Sequence, residues 1–65
     1  MKILLGDIIN EKNLTIRQVS ILTGVPKSTI SDIISGQASP RMDTLEKLAI
    51  GLKVRISDLY ESDFK

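Results

Sequence analysis

Three successive residues, Gly24-Val25-Pro26, divide the middle of the chain into two helix-length patterns. Gly24 tolerates the positive φ at which many helices end, and the fixed φ of Pro26 suits the start of a following helix. The flanking segments carry apolar or small residues at helical spacing: Ile16, Val19, Ser20 and Thr23 before the turn, and Ile30, Ile33 and Ile34 after it. The stretch from Thr15 to Ser35 therefore predicts two helices joined by a sharp turn, with the Thr15 hydroxyl as a cap for the first.

The second of these helices has a polar face opposite its apolar one. We place Ile30 in the core and turn the helix by about 100° per residue. The residues that then point outward are Ser28, Asp32 and Ser35. The first residues, Lys27 to Thr29, lie where free amide groups and the helix dipole favour an anionic partner. Amphipathicity by itself says only that a helix packs on something, so a purely structural role remains open.

The length and composition of the chain exclude several classes of protein. Its 65 residues predict a single domain, residues 1–65, with a modest core. There is no cysteine or histidine, so we expect no disulfide framework, no metal site, no cofactor and no catalytic site. No apolar run approaches the length of a membrane span, and the N-terminal MKILLGDII is interpreted as part of the fold. The expected compartment is the cytoplasm.

The charge of the chain is unevenly distributed. The net charge of +1 is too small for a domain that binds nucleic acid by charge alone. Residues 1–31 carry four basic and two acidic groups, whereas residues 32–65 carry five basic and six acidic groups. The basic excess therefore lies in the half that contains the turn between the two predicted helices.

The periodicity of the whole chain predicts an all-α, compact five-helix domain. The two central helices are the second and third of the chain, and the third runs from about Lys27 to Ser35. We also predict helices from about Lys2 to Lys12, Met42 to Leu52 and Ile56 to Glu61. A loop with Gly36 and Pro40 separates the third helix from the fourth. No strand pattern and no repeat is visible.

A set of residues spread over most of the chain resembles the phage repressor and Cro family of helix-turn-helix proteins, often called the XRE family. The matching residues are Leu14, Thr15, Val19, Ser20, Gly24, Val25, Lys27, Ser28, Thr29, Ile30, Ser31, Ile33, Gly36, Pro40, Thr44, Leu45, Lys47, Leu48 and Ala49. The resemblance extends from about Leu5 to Tyr60. It implies a lambda-repressor-like fold, encoded by a bacterium or phage, whose helices 2 and 3 form the helix-turn-helix.

The resemblance also implies contacts for individual residues. The third helix would lie in the major groove. The positions that match base contacts are Lys27, Ser28 and Asp32. The positions that match contacts to the DNA backbone are Thr15, Ile16, Arg17, Thr29, Ser35, Gln37 and Arg41. The positions that match a dimer interface are Val54, Arg55, Ile56, Leu59 and Tyr60, with Phe64 as a further candidate.

The function implied by the resemblance is sequence-specific binding of operator DNA as a transcriptional repressor. Such proteins usually bind as two-fold dimers, and without DNA the chain can be monomeric because a short interface is weak. The alternative is an antitoxin or controller protein whose main partner is another protein and which uses DNA binding for autoregulation. Fold alone does not separate these two functions.

The chain departs from the family pattern at several positions. Many members carry an arginine and a glutamate where this chain has Ile9 and Ile34, so we predict that these two isoleucines touch. A polar residue is frequent at the position of Ile16, which puts a side-chain contact to DNA there in doubt. Arg55 stands where a helix cap is usual, and we expect a weakly started last helix. Lys53 stands where glycine or asparagine is common, so we expect a strained positive φ.

Five further apolar residues are not all needed inside a core of this size. They are Ile3, Ile21, Leu22, Ile50 and Phe64. A contiguous exposed set would mark a surface for a partner, whereas scattered exposure would have no functional meaning.

Overall fold

Four α-helices and one small two-stranded sheet make up the computed structural model, which describes residues 1–64. The elements in chain order are β1 (Lys2–Ile3), α1 (Leu5–Glu11), α2 (Ile16–Thr23), α3 (Lys27–Ser35), α4 (Met42–Leu52), a 3-10 turn (Ile56–Asp58) and β2 (Tyr60–Glu61). The protein is mainly helical, as predicted. The predicted count of five helices is wrong, because four are present in the described part of the chain.

The error lies at the two ends of the chain, which pair with each other. β1 and β2 are antiparallel, with Lys2 opposite Glu61 and Ile3 opposite Tyr60. The Leu4 amide also donates to the Leu59 carbonyl at 2.8 Å. Backbone groups that bond across a ladder are unavailable to a helix. The first helix therefore begins at Leu5 instead of Lys2, and the predicted fifth helix is reduced to one 3-10 turn.

Helix α4 and the end of α2 approach each other closely. A Cβ atom on Gly51 would lie 2.5 Å from the Thr23 Cγ2 atom and 2.6 Å from the Leu22 carbonyl oxygen. No side chain fits at such distances, so only glycine at position 51 permits this approach. The close contact holds the C-terminal end of α2 against α4, the longest helix in the described chain.

A single core lies between the helices. Its buried members are Leu5, Ile8, Ile9, Val19, Val25, Ile30, Ile33, Leu45, Leu48, Ala49, Leu52 and Leu59. Helices α2, α3 and α4 present their predicted apolar faces to it, since Val19, Ile30 and Leu48 are among the fully buried side chains. Among residues 1–64, no helix combines the length and the hydropathy needed to cross a membrane.

The two isoleucines that are predicted to touch belong to α1 and α3, which pack against each other. Ile9 is buried, whereas Ile34 is 41% exposed. The Ile34 Cγ2 atom lies 3.5 Å from the position that a Cβ on Gly6 would take. Ile34 therefore lies beside α1, one turn before Ile9. Burial of Ile9 excludes two separately exposed isoleucines, and direct contact between the two side chains stays a prediction.

Candidate nucleic-acid interface

Helix α2 begins with reciprocal hydrogen bonds between Thr15 and Gln18. The Gln18 amide donates to Thr15 Oγ1 at 3.1 Å, and the Thr15 amide donates to Gln18 Oε1 at 2.8 Å. This capping box confirms the predicted role of Thr15. It satisfies two backbone amides and leaves those of Ile16 and Arg17 without a hydrogen bond to any residue in the described chain. These two amides are donors available to an anion at the start of α2.

The two residues that carry those free amides differ in their side chains. Arg17 is exposed, so its guanidinium is free to approach a phosphate. Ile16 is half-buried and packs against the core. A contact between the Ile16 side chain and DNA is not expected, because this side chain is directed to the core. What Ile16 offers to a ligand is its backbone N–H.

The turn between α2 and α3 is held by bonds within a few residues. Gly24 has φ 75° and donates from its amide to the Ser20 carbonyl at 2.9 Å. The Thr23 hydroxyl donates to the Val19 carbonyl at 2.7 Å and accepts from the Val25 amide at 3.2 Å. Val25 is buried in the core. The predicted sharp turn is therefore confirmed, and its geometry sets the position of α3 relative to α2.

Helix α3 begins immediately after Pro26 and has no side-chain cap. The first amide bonded within the helix belongs to Ile30, which donates to the Pro26 carbonyl at 3.1 Å. The amides of the three preceding residues, Lys27 to Thr29, point out of the helix end. The predicted base-contacting residues Lys27, Ser28 and Asp32 are all exposed, and Thr29 is half-buried. The polar face derived from helical periodicity is thus a surface of the folded protein.

Ser31 belongs to the same surface but was absent from the predicted contacts. It is exposed and lies one helical turn after Lys27 and Ser28. The helical periodicity would have included it, since it turns only about 40° from Lys27 at roughly 100° per residue. The family pattern matched Ser31 but gave it no role in DNA contact.

The loop after α3 is folded around the backbone carbonyl of Asp32. This oxygen accepts from the amides of Gln37 and Ala38 at 2.9 and 3.2 Å. It also accepts from the Ser35 hydroxyl at 3.2 Å, so the proton of that hydroxyl is already used within the protein. The Gln37 side chain remains exposed. The structure thus places Ser35 and Gln37 beside the outer end of the polar face of α3.

Arg41 lies just before α4 and is predicted to contact the DNA backbone. Its Nε atom is 3.6 Å from Asp43 Oδ1, and the two side chains are 85% and 67% exposed. An ion pair so open to water contributes little to stability. It therefore holds Arg41 only weakly, and the guanidinium can exchange Asp43 for a phosphate.

The predicted dimer segment is only partly available at the surface. Leu59 is fully buried and packs in the core, so its side chain cannot meet a partner; this part of the prediction is wrong. Val54, Ile56 and Tyr60 are half-buried, and Arg55 is exposed. Phe64 is 98% exposed.

The start of the 3-10 turn explains how the chain manages without a cap at Arg55. The Arg55 amide donates to Asp58 Oδ2 at 3.0 Å, and the Asp58 amide donates to the Arg55 carbonyl at 3.0 Å. Asp58 therefore supplies the side-chain acceptor that arginine lacks. Asp58 thus caps a single turn from its C-terminal end, and the turn does not continue as a longer helix.

The surplus apolar residues have different positions in the fold. Ile21, Leu22, Ile50 and Phe64 are exposed. Ile3 instead belongs to β1 and packs against the core. Four of the five residues are thus exposed, and the strand pairing places Ile3 against the core.

A family model for helix-turn-helix proteins matches residues 5–59, from the start of α1 to Leu59. The chain belongs to this helix-turn-helix family, of the Cro and XRE type. No curated protein and no solved structure gives a significant match. Membership agrees with the geometry of α2, the turn and α3, and it makes the chain a DNA-binding protein of the class that regulates transcription.

Proposed function

We propose that this helix-turn-helix protein represses transcription by binding a specific operator as a two-fold dimer, with α3 in the major groove. The observation that carries the proposal is the uncapped start of α3, where open amides adjoin the exposed Lys27 and Ser28. A helix entering the major groove brings its first residues to the base edges. Lysine donates well to guanine, and serine can pair with several bases.

Asp32 gives this face its selectivity. It is exposed one turn after Ser28, and its carboxylate is in no hydrogen bond with the described protein. Phosphates repel a carboxylate, so Asp32 costs affinity unless it accepts a hydrogen bond, most readily from the amino group of cytosine. The side chain therefore acts as much by excluding wrong bases as by binding the right one.

The DNA backbone is held on both sides of α3. At the start of α2, the free amides of Ile16 and Arg17 and the Arg17 guanidinium meet one strand. Thr15 contributes the cap that directs these amides. On the other side, the proposed contacts are Thr29 in the recognition helix and Gln37 and Arg41 in the segment that follows it. Phosphate contacts of this kind orient the protein and add affinity without reading sequence.

We infer the dimer from the geometry of the major groove and the repression from the effect of occupying an operator. A two-fold dimer presents two copies of α3 to successive turns of the major groove, about 10 base pairs apart. The exposed or half-buried part of the segment after α4, Val54, Arg55, Ile56 and Tyr60, is the proposed contact. We infer repression because occupation of an operator suffices to exclude other proteins from the same DNA, whereas activation needs a further contact.

The test is selection of bound sequences from a random duplex library with the intact chain. We expect a pseudo-palindrome with half-site centres about 10 base pairs apart. In the Lys27→Ala/Ser28→Ala variant the selected bases should change or disappear, whereas Lys47→Ala, an exposed lysine of α4 outside the interface, should select the parent site. A reporter whose promoter overlaps the selected site should be expressed less when the chain is present.

Each part of the proposal has its own contrary result. An enriched site without internal symmetry would exclude the two-fold dimer. No enriched site at all would exclude sequence-specific reading and favour the alternative, an antitoxin or controller that acts mainly on another protein. A selected site with unchanged or raised reporter expression would exclude repression.

A further inference from the structure

A groove of the described chain lies away from α3, between α1 and the segment after α4. It has a volume of about 560 Å³ and is lined by Leu4, Asp7, Ile8, Glu11, Lys12, Val54 and Asp58. Its floor is apolar and its rim is charged, with three carboxylates and one ammonium group. Operator DNA is an unsuitable occupant, because phosphates would meet an acidic rim.

The three carboxylates of the rim are exposed to solvent and share the rim with one ammonium group, that of Lys12. Asp7 and Glu11 are exposed and form no ion pair with any of residues 1–64. Within residues 1–64, the Asp58 carboxylate accepts a hydrogen bond from the amide of Arg55. Leu4 and Val54 leave part of their apolar surface exposed at the floor. A matching occupant therefore carries a basic group for the rim and an apolar portion for the floor.

The chain itself carries such a group at the edge of the groove. Arg55 lies in sequence between Val54 and Asp58, is exposed, and forms no ion pair with residues 1–64. Lys12, on the rim itself, is a further exposed cation. An arginine combines a long apolar stem with a charged head, so it suits a groove of this kind. The Arg55 amide donates to the Asp58 carboxylate of the rim, so Arg55 adjoins the groove without lining it.

We propose that this groove is the docking site for a second copy of the chain, with Arg55 of each copy against Asp7 and Glu11 of the other. A two-fold interface must be self-complementary, because the same patch is used by both copies. The patch described here meets that condition in both charge and apolar surface. The inference rests on the proposed dimer and names its contacts; it does not rest on DNA binding. One groove is small beside a standard interface, so the free dimer is weak.

The absence of cysteine from the chain permits a direct test by cross-linking. The variants Arg55→Cys and Glu11→Cys are mixed and treated with a short bismaleimide, and the rate at which the mixed covalent dimer forms is measured. The matched control mixes Arg55→Cys with Glu46→Cys, because Glu46 is an exposed glutamate outside the groove. We expect the first mixture to react at least about tenfold faster, since docking raises the local concentration of one thiol near the other. Equal rates in the two mixtures would overturn the proposal.

A second pair and a separate readout keep the test decisive. Asp7→Cys lies on the same rim and should replace Glu11→Cys if the latter folds poorly, as judged from thermal melting. The reaction contains no DNA, so a failure here differs from a failure of the proposed function. An enriched operator without preferential cross-linking would exclude docking in the groove and leave the proposed DNA binding intact. Preferential cross-linking without an enriched operator would support docking in the groove and exclude sequence-specific DNA binding. Binding of a separate arginine-rich peptide without preferential cross-linking would assign the groove to another protein.

Discussion

The recognition unit, residues 15–38, and the C-terminal segment, residues 53–61, differ in what holds their backbone in place. In the recognition unit the cap, the turn and the loop after α3 are closed by bonds between residues at most six apart, such as that from the Gly24 amide to the Ser20 carbonyl. In the C-terminal segment such bonds, two between Arg55 and Asp58 and one from the Leu59 amide to the Ile56 carbonyl, close a single turn. The rest depends on distant groups, above all the Leu4 amide and the buried side chain of Leu59.

This difference separates the part that carries function from the part that completes the fold. A unit with its own caps and turn keeps its shape because each local bond favours the same geometry. A segment held by distant groups loses its shape when those contacts are removed. Substitutions in the C-terminal segment should therefore act on stability, and those on the polar face of α3 should act on binding.

The largest effect is expected where the C-terminal segment enters the core. Leu59→Ala should lower the free energy of unfolding by about 2 to 5 kcal/mol, because a fully buried leucine leaves a cavity when it is truncated. The measurement is urea unfolding followed by circular dichroism. Phe64→Ala is the control, and since Phe64 is 98% exposed the change should be close to zero. Equal effects of the two substitutions would show that the segment is not anchored by Leu59.

Asp32→Ala should change recognition and leave stability nearly unaltered. The variant should bind non-specific DNA at least as tightly as the parent, while losing about 1 to 3 kcal/mol of discrimination at one base pair in each half-site. Arg41→Ala, by contrast, should weaken all sequences alike and lower the magnitude of the salt slope by about 1 for one lost phosphate contact.

Binding isotherms on selected and scrambled duplexes, repeated at several salt concentrations, measure both variants. The parent and the two variants should unfold at the same urea concentration, since both residues are exposed. The placement of α3 in the groove would be wrong if Asp32→Ala left base preference intact while Arg41→Ala altered it.

The local bonding of the recognition unit can be tested at its first residue. Thr15→Ala removes the acceptor for the Gln18 amide and should lower the free energy of unfolding by about 1 kcal/mol. Thr15→Ser is the matched control, because a serine hydroxyl accepts the same hydrogen bond. If the serine and alanine variants melt at the same temperature, the capping box does not stabilise the unit.

The smallest effect is expected at Lys53, where the C-terminal segment begins. Lys53 has φ 58° and ψ 45°, a left-handed conformation that glycine adopts without strain. The positive φ expected from the sequence is therefore present. Lys53→Gly should raise the free energy of unfolding by up to about 1 kcal/mol. Lys47→Gly, inside α4, should have the opposite sign, because glycine weakens a helix interior. Melting curves that fall for both variants would contradict the strain assigned to Lys53.

Sequence reasoning was most accurate where its signals were short in range. The predicted bounds of α3 and α4 agree with the observed helices, Lys27–Ser35 and Met42–Leu52. The polar face of α3 was also predicted, although Ser31 was omitted from the contacts. It was least accurate at the ends of the chain, where two strands of two residues each are too short to show an alternating pattern.

The amino-acid sequence by itself determined the recognition unit, because caps, turns and helical faces depend on residues within one or two turns of each other. Only the tertiary structure decided that Lys2–Ile3 pairs with Tyr60–Glu61, that Leu59 is buried instead of exposed at a dimer surface, and that Asp7 and Glu11 share a groove with Val54. These features join residues from opposite ends of the chain. Their pairing is selected by the shape and free energy of the assembled core, which no local pattern records.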